Sequence, residues 1–215
     1  MKNNGVPIVK EGLPFLFIAL VASIAFWIGG IWPLSVLFVG LTLFIAFFFR
    51  NPERLAPVGA HLVCSPADGK VIFIGVVKEN EFLKEEMQKI SVFMSLWDVH
   101  VNRVPIDGTI KNMKHHRGRF MAAFEDRASE ENERNCMLLE TSKGVQLVLV
   151  QVAGLVARRI ICYPGIGAFL LKGQRFGLIR FGSRCDMYFP KEAVILVKIG
   201  QKVMGGETLL AELKG

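Results

Sequence analysis

A glycine followed by a serine, Gly182-Ser183, closes the stretch Arg175-Phe176-Gly177-Leu178-Ile179-Arg180-Phe181. A Gly-Ser pair alone carries little information. Its chemical interest is that a serine hydroxyl can attack the carbonyl of the residue before it. A glycine there leaves that carbonyl accessible and permits a strained backbone. The product is an ester. β-Elimination then breaks the chain and leaves dehydroalanine, which hydrolyses to an N-terminal pyruvoyl group. Such a ketone forms a Schiff base with an amine and acts as an electron sink, the part that pyridoxal phosphate plays elsewhere.

Other residues of the right type each have an ordinary reading beside the chemical one. His100 lies in Val99-His100-Val101, so on a strand its side chain opposes the two valines. It is either a satisfied histidine or a general base and proton donor. Asp68, in Ser65-Pro66-Ala67-Asp68-Gly69, is a good turn residue. His115 and His116 sit in the basic run Lys114-His115-His116-Arg117-Gly118-Arg119, which fits a solvated face or a contact with a phosphate. Arg134 suits holding a loop as well as binding phosphate or carboxylate, and His61 reads as structural.

The elements that must position these residues fall into two parts. Residues 13–49 contain no Asp, Glu, Lys or Arg, and the 52% hydrophobic content, high for an ordinary soluble domain, owes its excess to this run. The run divides at Gly29-Gly30-Ile31-Trp32-Pro33, a turn signal. Each half, 13–28 and 34–49, makes a helix of about 24 Å, slightly short of a ~30 Å hydrocarbon core. Lys2 and Lys10 precede the run and Arg50 and Arg54 follow it. A helical hairpin with both ends in the cytoplasm satisfies the positive-inside rule at each end. Residues 1–50 are therefore expected to form a membrane anchor.

Beyond it the pattern changes to short apolar runs punctuated by Gly, Pro and Asp. Strands are expected at 70–77, 90–96, 108–114, 136–141, 146–152, 160–162, 177–181, 187–189, 193–197 and 208–213. The charged stretch 124–135 reads as a loop or a short helix. The expected fold of 51–215 is a β-rich (α+β), sandwich-like domain. Its segment 198–207 resembles the G-x-x-V-x-x-G-E hairpins of biotinyl and lipoyl carriers, without the lysine that a carrier needs at the hairpin tip. Cys64, Cys136, Cys162 and Cys185 form no C-x-x-C pair and no zinc spacing, so no metal is expected and reduced thiols are. The net charge of +7 is too diffuse for nucleic acid and suits an anionic membrane surface or an acidic ligand.

Several segments, in this order, resemble the short bacterial- or archaeal-type phosphatidylserine decarboxylase proenzymes. They are the Ser65–Val71 stretch, Asp98-Val99-His100-Val101-Asn102-Arg103-Val104-Pro105, Asn132-Glu133-Arg134-Asn135, Gly154 in 151–159, and Lys172-Gly173-Gln174-Arg175-Phe176-Gly177 leading to Phe181-Gly182-Ser183. The resemblance covers about 51–213. It implies self-cleavage between Gly182 and Ser183 into a β chain, 1–182, and an α chain, 183–215, that begins with a pyruvoyl cofactor. The two chains would stay together as a heterodimer, and a dimer of these is a further expectation from the family.

The resemblance also implies that Asp68 belongs to the self-cleavage apparatus with a histidine, and that Ser183, His100 and Asp68 are catalytic. Long family members carry Asp-Tyr-His-Arg-x-His. Here Arg103 stands where the second histidine would be, so the identity of the cleavage base is open between His100 and one of His115 or His116. The implied activity is decarboxylation of membrane phosphatidylserine to phosphatidylethanolamine on the cytoplasmic face of the cell membrane. Archaetidylserine would undergo the same headgroup chemistry. A membrane-anchored adaptor of biotinyl-like fold is the non-enzymatic alternative.

Overall fold

The computed structural model describes residues 6–118, 121, 131–154, 159–180 and 182–214. Phe181 and the greater part of the 124–135 segment lie outside the described residues. The chain forms two compact units, Asn3–Glu53 and Arg54–Gly215.

In the smaller unit, α1 (Leu13–Ile28) and α2 (Trp32–Phe48) contain no charged residue. Each has a proline in its first turn, where a missing N–H costs nothing. That is why α2 begins at Trp32-Pro33, two residues before the expected start. The helices pack as a hairpin. The Ser35 hydroxyl donates to the Ser23 carbonyl at 3.0 Å, and the Trp27 and Trp32 rings meet 4.2 Å apart. Its two ends are tied together, since Val9 N–H donates to the Phe49 carbonyl at 3.0 Å and Ile8 bridges to Arg50. Both flanks of the hairpin therefore leave on one side. Phe17, Ile18, Val36, Leu37 and Leu43 stay exposed on its outside. The helical stretch Lys10–Ile28 is long and apolar enough to cross a membrane, and α2 is shorter.

The larger unit is built from fourteen strands among the described residues. Eight form one antiparallel sheet. In spatial order they are β13 (Lys202–Val203), β2 (Gly69–Lys78), β3 (Glu86–Met94), β11 (Ser183–Phe189), β7 (Gln146–Val152), β6 (Arg134–Glu140), β5 (Gly108–His116) and β9 (Phe169–Leu170). Two three-stranded sheets accompany it. One orders β1 (Leu62–Cys64), β14 (Leu209–Glu212) and β12 (Val194–Ile195); the other orders β4 (Val101–Arg103), β10 (Arg175–Ile179) and β8 (Ile160–Cys162).

One face of the large sheet supplies Val71, Val92, Met137, Leu149 and Met187 to a core shared with Val63, Leu210, Phe176 and Ile179 of the small sheets. Each such side chain contributes about 1.5–3 kcal/mol on leaving water. A separate apolar cluster of Cys136, Leu138, Val148, Val150 and Val152 covers part of the opposite face.

The main departure from the expected strands is at the centre of the sheet. The pattern suggested a strand over 177–181 and a short one at 187–189. Instead β10 ends at Ile179, and β11 runs unbroken from Ser183. Arg184 and Asp186 look like loop residues in the sequence, yet both are buried on the face opposite the shared core, where they neutralise each other. Cys185, Met187 and Phe189 alternate with them into that core.

Gly69 opens β2 at φ +150°, and a Cβ there would lie 2.0 Å from the Phe93 carbonyl oxygen of β3. Gly69→Ala is therefore expected to force β2 away from β3. Denaturant unfolding should show a loss of more than about 3 kcal/mol, well above an average substitution.

Candidate active site

The register of the eight-stranded sheet brings the strand ends that carry the candidate residues to one edge. Ser183, the first residue of β11, pairs with Met94, the last of β3. Lys70 of β2 pairs with Phe93 on the other side of β3, so Asp68 precedes β2 at the same edge. Adjacent strands lie about 4.8 Å apart, which puts the starts of β2 and β11 about 10 Å apart across β3. On the other flank Val152 at the end of β7 pairs with Arg184. Arg134 pairs with Val152, and His116 with Arg134. His100 follows β3 through the turn 95–98, and its carbonyl accepts from Ile179 N–H, at the end of β10, at 3.4 Å.

The same register divides these residues between two faces. Ser183 belongs to the face of the shared core, because Cys185 and Met187 continue its side of β11. Its side chain is fully buried, with Oγ 3.9 Å from the Met94 Sδ. That thioether also receives Asn102 Nδ2 at 3.7 Å. Asn102 Oδ1 accepts from Gln151 Nε2 at 2.8 Å, and Gln151 Oε1 accepts from Asn135 Nδ2 at 3.1 Å. Three buried amides from β4, β7 and β6 thus satisfy one another and end on the sulfur that faces Ser183. Gly182 holds φ +58°, a left-handed conformation that a residue with a Cβ adopts at a cost of about 1–2 kcal/mol.

His100 is buried, and its Nδ1 lies 2.9 Å from the Asp98 carbonyl oxygen. A carbonyl only accepts, so the neutral ring carries its proton on Nδ1 and presents Nε2 as the basic nitrogen. The turn that places it is closed by Asp98, whose carboxylate accepts from Ser95 N–H at 2.8 Å and Ser95 Oγ–H at 2.6 Å.

Asp68 is part of an ionic cluster at this edge. Its carboxylate accepts from Arg54 Nη2 at 2.8 Å and from Gly205 N–H at 2.7 Å, while Arg54 Nη1 reaches Glu207 at 2.7 Å. Arg103 is buried beside them and donates to the Gly173 carbonyl at 2.9 Å. Burial, then the Arg54 charge, pushes its pKa below the usual arginine range, and the charge of Asp68 pulls the other way. Arg103 thus lies within the field of Asp68.

Arg134 and His116 lie at the same edge but on the face opposite Ser183. Arg134 lines a cleft of about 270 Å³ with Lys89, Cys136, Arg184, Tyr188 and Glu81. His116 Nε2 and Lys114 Nζ each approach a Glu81 oxygen at 2.8 Å. The Cys136 thiol lies within 4.8 Å of the Glu81 and His116 ligand atoms, and burial pushes its pKa up to about 12. His115, half exposed, lies 3.4 Å from Glu133, and its register partner is Asn135, on the face of Ser183. His61 is 3.7 Å from Glu212 at the surface.

Asp186 is fully buried, with two residues of the cleft lining as its partners, Arg184 Nε at 2.8 Å and Lys89 Nζ at 3.1 Å. Burial opposes its charge, but Arg184 and then Lys89 outweigh that effect and hold its pKa below the usual carboxylate range.

Met94, Asn102, Gln151 and Asn135 were not among the expected site residues. The last three fall inside matched motifs, but a buried amide becomes recognisable only when its partner on another strand is known.

Comparison with known families defines the class. Residues 41–211 match the family described as phosphatidylserine decarboxylase. The likeness extends along the whole chain. It is 48% identical over 217 residues to the phosphatidylserine decarboxylase proenzyme of Geotalea uraniireducens (strain Rf4), covering 99% of this chain and 100% of that protein. To the enzyme of the same name from Geobacter metallireducens (strain ATCC 53774 / DSM 7210 / GS-15) it is 49% identical over 218 residues, covering 99% and 100%. To that of Syntrophotalea carbinolica (strain DSM 2380 / NBRC 103641 / GraBd1) it is 45% identical over 214 residues, covering 100% of each. The chain belongs to the phosphatidylserine decarboxylase family.

The Asp186 ion pairs give a pH signature. A carboxyl whose folded pKa is depressed stabilises the fold fully above its unfolded pKa of about 4, and that stabilisation fades as pH falls through the lower folded value. Asp186→Asn is expected to cost about 3–5 kcal/mol at neutral pH, since it removes the carboxylate that two buried cations share. Denaturant unfolding of both proteins from pH 7 to pH 3 should show that difference constant to about pH 5 and shrinking below pH 4.

Proposed function

We propose that this chain decarboxylates phosphatidylserine to phosphatidylethanolamine after cutting itself between Gly182 and Ser183 into a β chain, 1–182, and an α chain, 183–215. The observation that carries the reading is a fully buried serine at the first position of an interior strand, directly behind a left-handed glycine, in a chain whose full-length relatives are proenzymes.

Cleavage needs a base for the Ser183 hydroxyl, and His100 Nε2 is assigned that part. Once deprotonated, Oγ attacks the Gly182 carbonyl carbon. The C–N bond breaks, an ester to Oγ forms, and the Ser183 nitrogen leaves as an amine. Removal of the Ser183 Cα proton expels Gly182 as a carboxylate and leaves dehydroalanine. Water adds, ammonia departs, and a ketone remains at the head of the α chain.

The local structure suits a pyruvoyl group. Gly182 is left-handed and, among the described residues other than its chain neighbours, none comes within 4 Å of a Cβ built on it, while the residue after it is buried and water-excluded. Such a group supplies a carbonyl that binds the substrate amine and takes up the electron pair left when CO₂ departs. His100 takes up at Nε2 a proton that the substrate ammonium gives up on binding and delivers it to the substrate α-carbon, with Nδ1 held by the Asp98 carbonyl. Asp68 fixes the neighbouring turn by joining Arg54 to the Gly205 amide. Of the side chains proposed to meet the phosphate, His115 has the register of the reacting face, whereas Arg134 and His116 stiffen the edge from behind. The segment 198–207, with its biotinyl-like spacing, is read as scaffold: it closes the edge through Val203 and Gly205.

The hairpin supports a substrate met in a bilayer. Its uncharged helices are exposed outside, its ends are tied, and Lys10 and Arg50 flank it, which supports reading both ends as cytoplasmic. The cleaved chains are read as a heterodimer, with association of two such heterodimers left to direct measurement of mass.

On a denaturing gel with intact-mass analysis, the wild-type chain should give a C-terminal piece of 33 residues with a blocked N-terminus. Ser183→Ala should remain one chain without activity. His100→Ala should fold but cleave about 10²–10⁴-fold more slowly, the usual contribution of a general base. An active protein with an uncut chain and an unmodified Ser183 would overturn the reading.

A further inference from the structure

The edge of the sheet that holds Ser183 carries apolar side chains that the chemistry does not use. Immediately after Met94, the tight turn 95–98 places Leu96 and Trp97 at its tip, 41% and 69% exposed. The turn is held at both ends, by Asp98 N–H donating to the Ser95 carbonyl at 3.1 Å and by the Asp98 carboxylate on Ser95. Turn tips ordinarily favour Gly, Pro, Asn, Asp or Ser. A rigid turn with a partly exposed Leu-Trp pair at its tip is therefore an unusual choice of residues.

Two further apolar residues stand at the same edge. Met204 follows Val203, which pairs with Gly69 at the start of β2, and its exposure is 49%. Leu55, 90% exposed, adjoins Arg54, whose guanidinium touches both the Met204 sulfur and the Asp68 carboxylate. Just inside this rim, exposed Lys70 and Lys202 are cross-strand partners.

We propose that Leu55, Leu96, Trp97 and Met204 form a rim by which the decarboxylase unit itself dips into the headgroup boundary of a lipid bilayer, beside the Gly182-Ser183 bond. This rests on the reading that the substrate is met in a bilayer. Tryptophan is suited to that boundary, with an apolar ring and one N–H donor. Lys70 and Lys202 supply the positive charge that an anionic lipid surface attracts. The rim sits where Ser183, the end of β3 and the loop to His100 converge. A phosphatidylserine headgroup could therefore reach the edge while its acyl chains remain in lipid, with no need for the whole molecule to be extracted into water.

The test uses the full chain. Trp27→Phe and Trp32→Phe leave Trp97 as the single tryptophan of three. The protein is reconstituted into vesicles of phosphatidylcholine and phosphatidylglycerol, with or without bromine on the acyl chains, and flotation is measured on the same samples. Trp97 emission is expected to shift to the blue and to fall by about two-fold or more with brominated lipid, as for a ring at the headgroup level. A chain that floats but whose Trp97 emission ignores bromine overturns the rim and leaves the bilayer reading standing. A chain that does not float overturns both.

A second measurement compares substrates, using Leu96→Ser with Trp97→Ser and the appearance of the 33-residue piece as the check on folding. KM for phosphatidylserine in vesicles should rise about ten-fold or more, while kcat/KM for dispersed short-chain phosphatidylserine stays within about two-fold. An equal loss on both substrates would overturn the proposal, because the residues would then act inside the reacting site.

Discussion

The interior position of β11 is the constraint on which the rest of this structure depends. The strand lies between β3 and β7 and pairs with both along most of its length. Its first residue is Ser183, so scission there would cut the chain at the start of a strand already held on two sides. Cys185, Met187 and Phe189 anchor it in the shared core, and farther along the same piece β14 pairs with β1. Ladders and apolar burial would keep a short C-terminal chain in place without a covalent link. The same pairing sets Ser183 at the edge opposite Met94, where the chain reverses and His100 follows.

The two faces of this strand divide the work. On the core face, the Met94 thioether meets Ser183 with a row of neutral amides behind it, an arrangement that orients polar groups without a net charge of its own. On the other face, Asp186 sits between Arg184 and Lys89 in a fully buried ionic group. A buried charge is tolerated only when paired. Two charged residues can therefore occupy the middle of an interior strand, and they do so on the face away from Ser183. Glu81, His116, Lys114 and Arg134 extend the ionic character along the same face. Side-chain alternation thus keeps two chemistries one residue apart in sequence and a sheet apart in space.

Much of the architecture was legible beforehand, for identifiable reasons. The helical hairpin follows from 37 uncharged residues interrupted by Gly-Gly and Pro, and its first helix, 13–28, begins and ends as expected. The runs at 70–77, 108–114 and 146–152 alternate or are continuously apolar, and they coincide closely with β2, β5 and β7. The three-residue strands β1 and β4 were not expected, whereas β8, equally short, coincides with the apolar run at 160–162. The start of β11 was hidden because Arg184 and Asp186 break the apolar pattern, and their compensation involves Lys89 on another strand.

By itself, the sequence determined the chemistry that is available: a Gly-Ser bond able to rearrange, a histidine within reach of a matched motif, and an uncharged segment suited to lipid. These are local properties, carried by residue type and short spacing. Only the tertiary structure decided which side chains share a face. It placed Asn102, Gln151 and Asn135 behind Met94, set Asp68 among arginines, and turned Arg134 and His116 to the far side of the sheet. The reason is that side-chain direction in a sheet depends on register. One residue of shift reverses every side chain, and here the register is set by core packing across strands far apart in sequence.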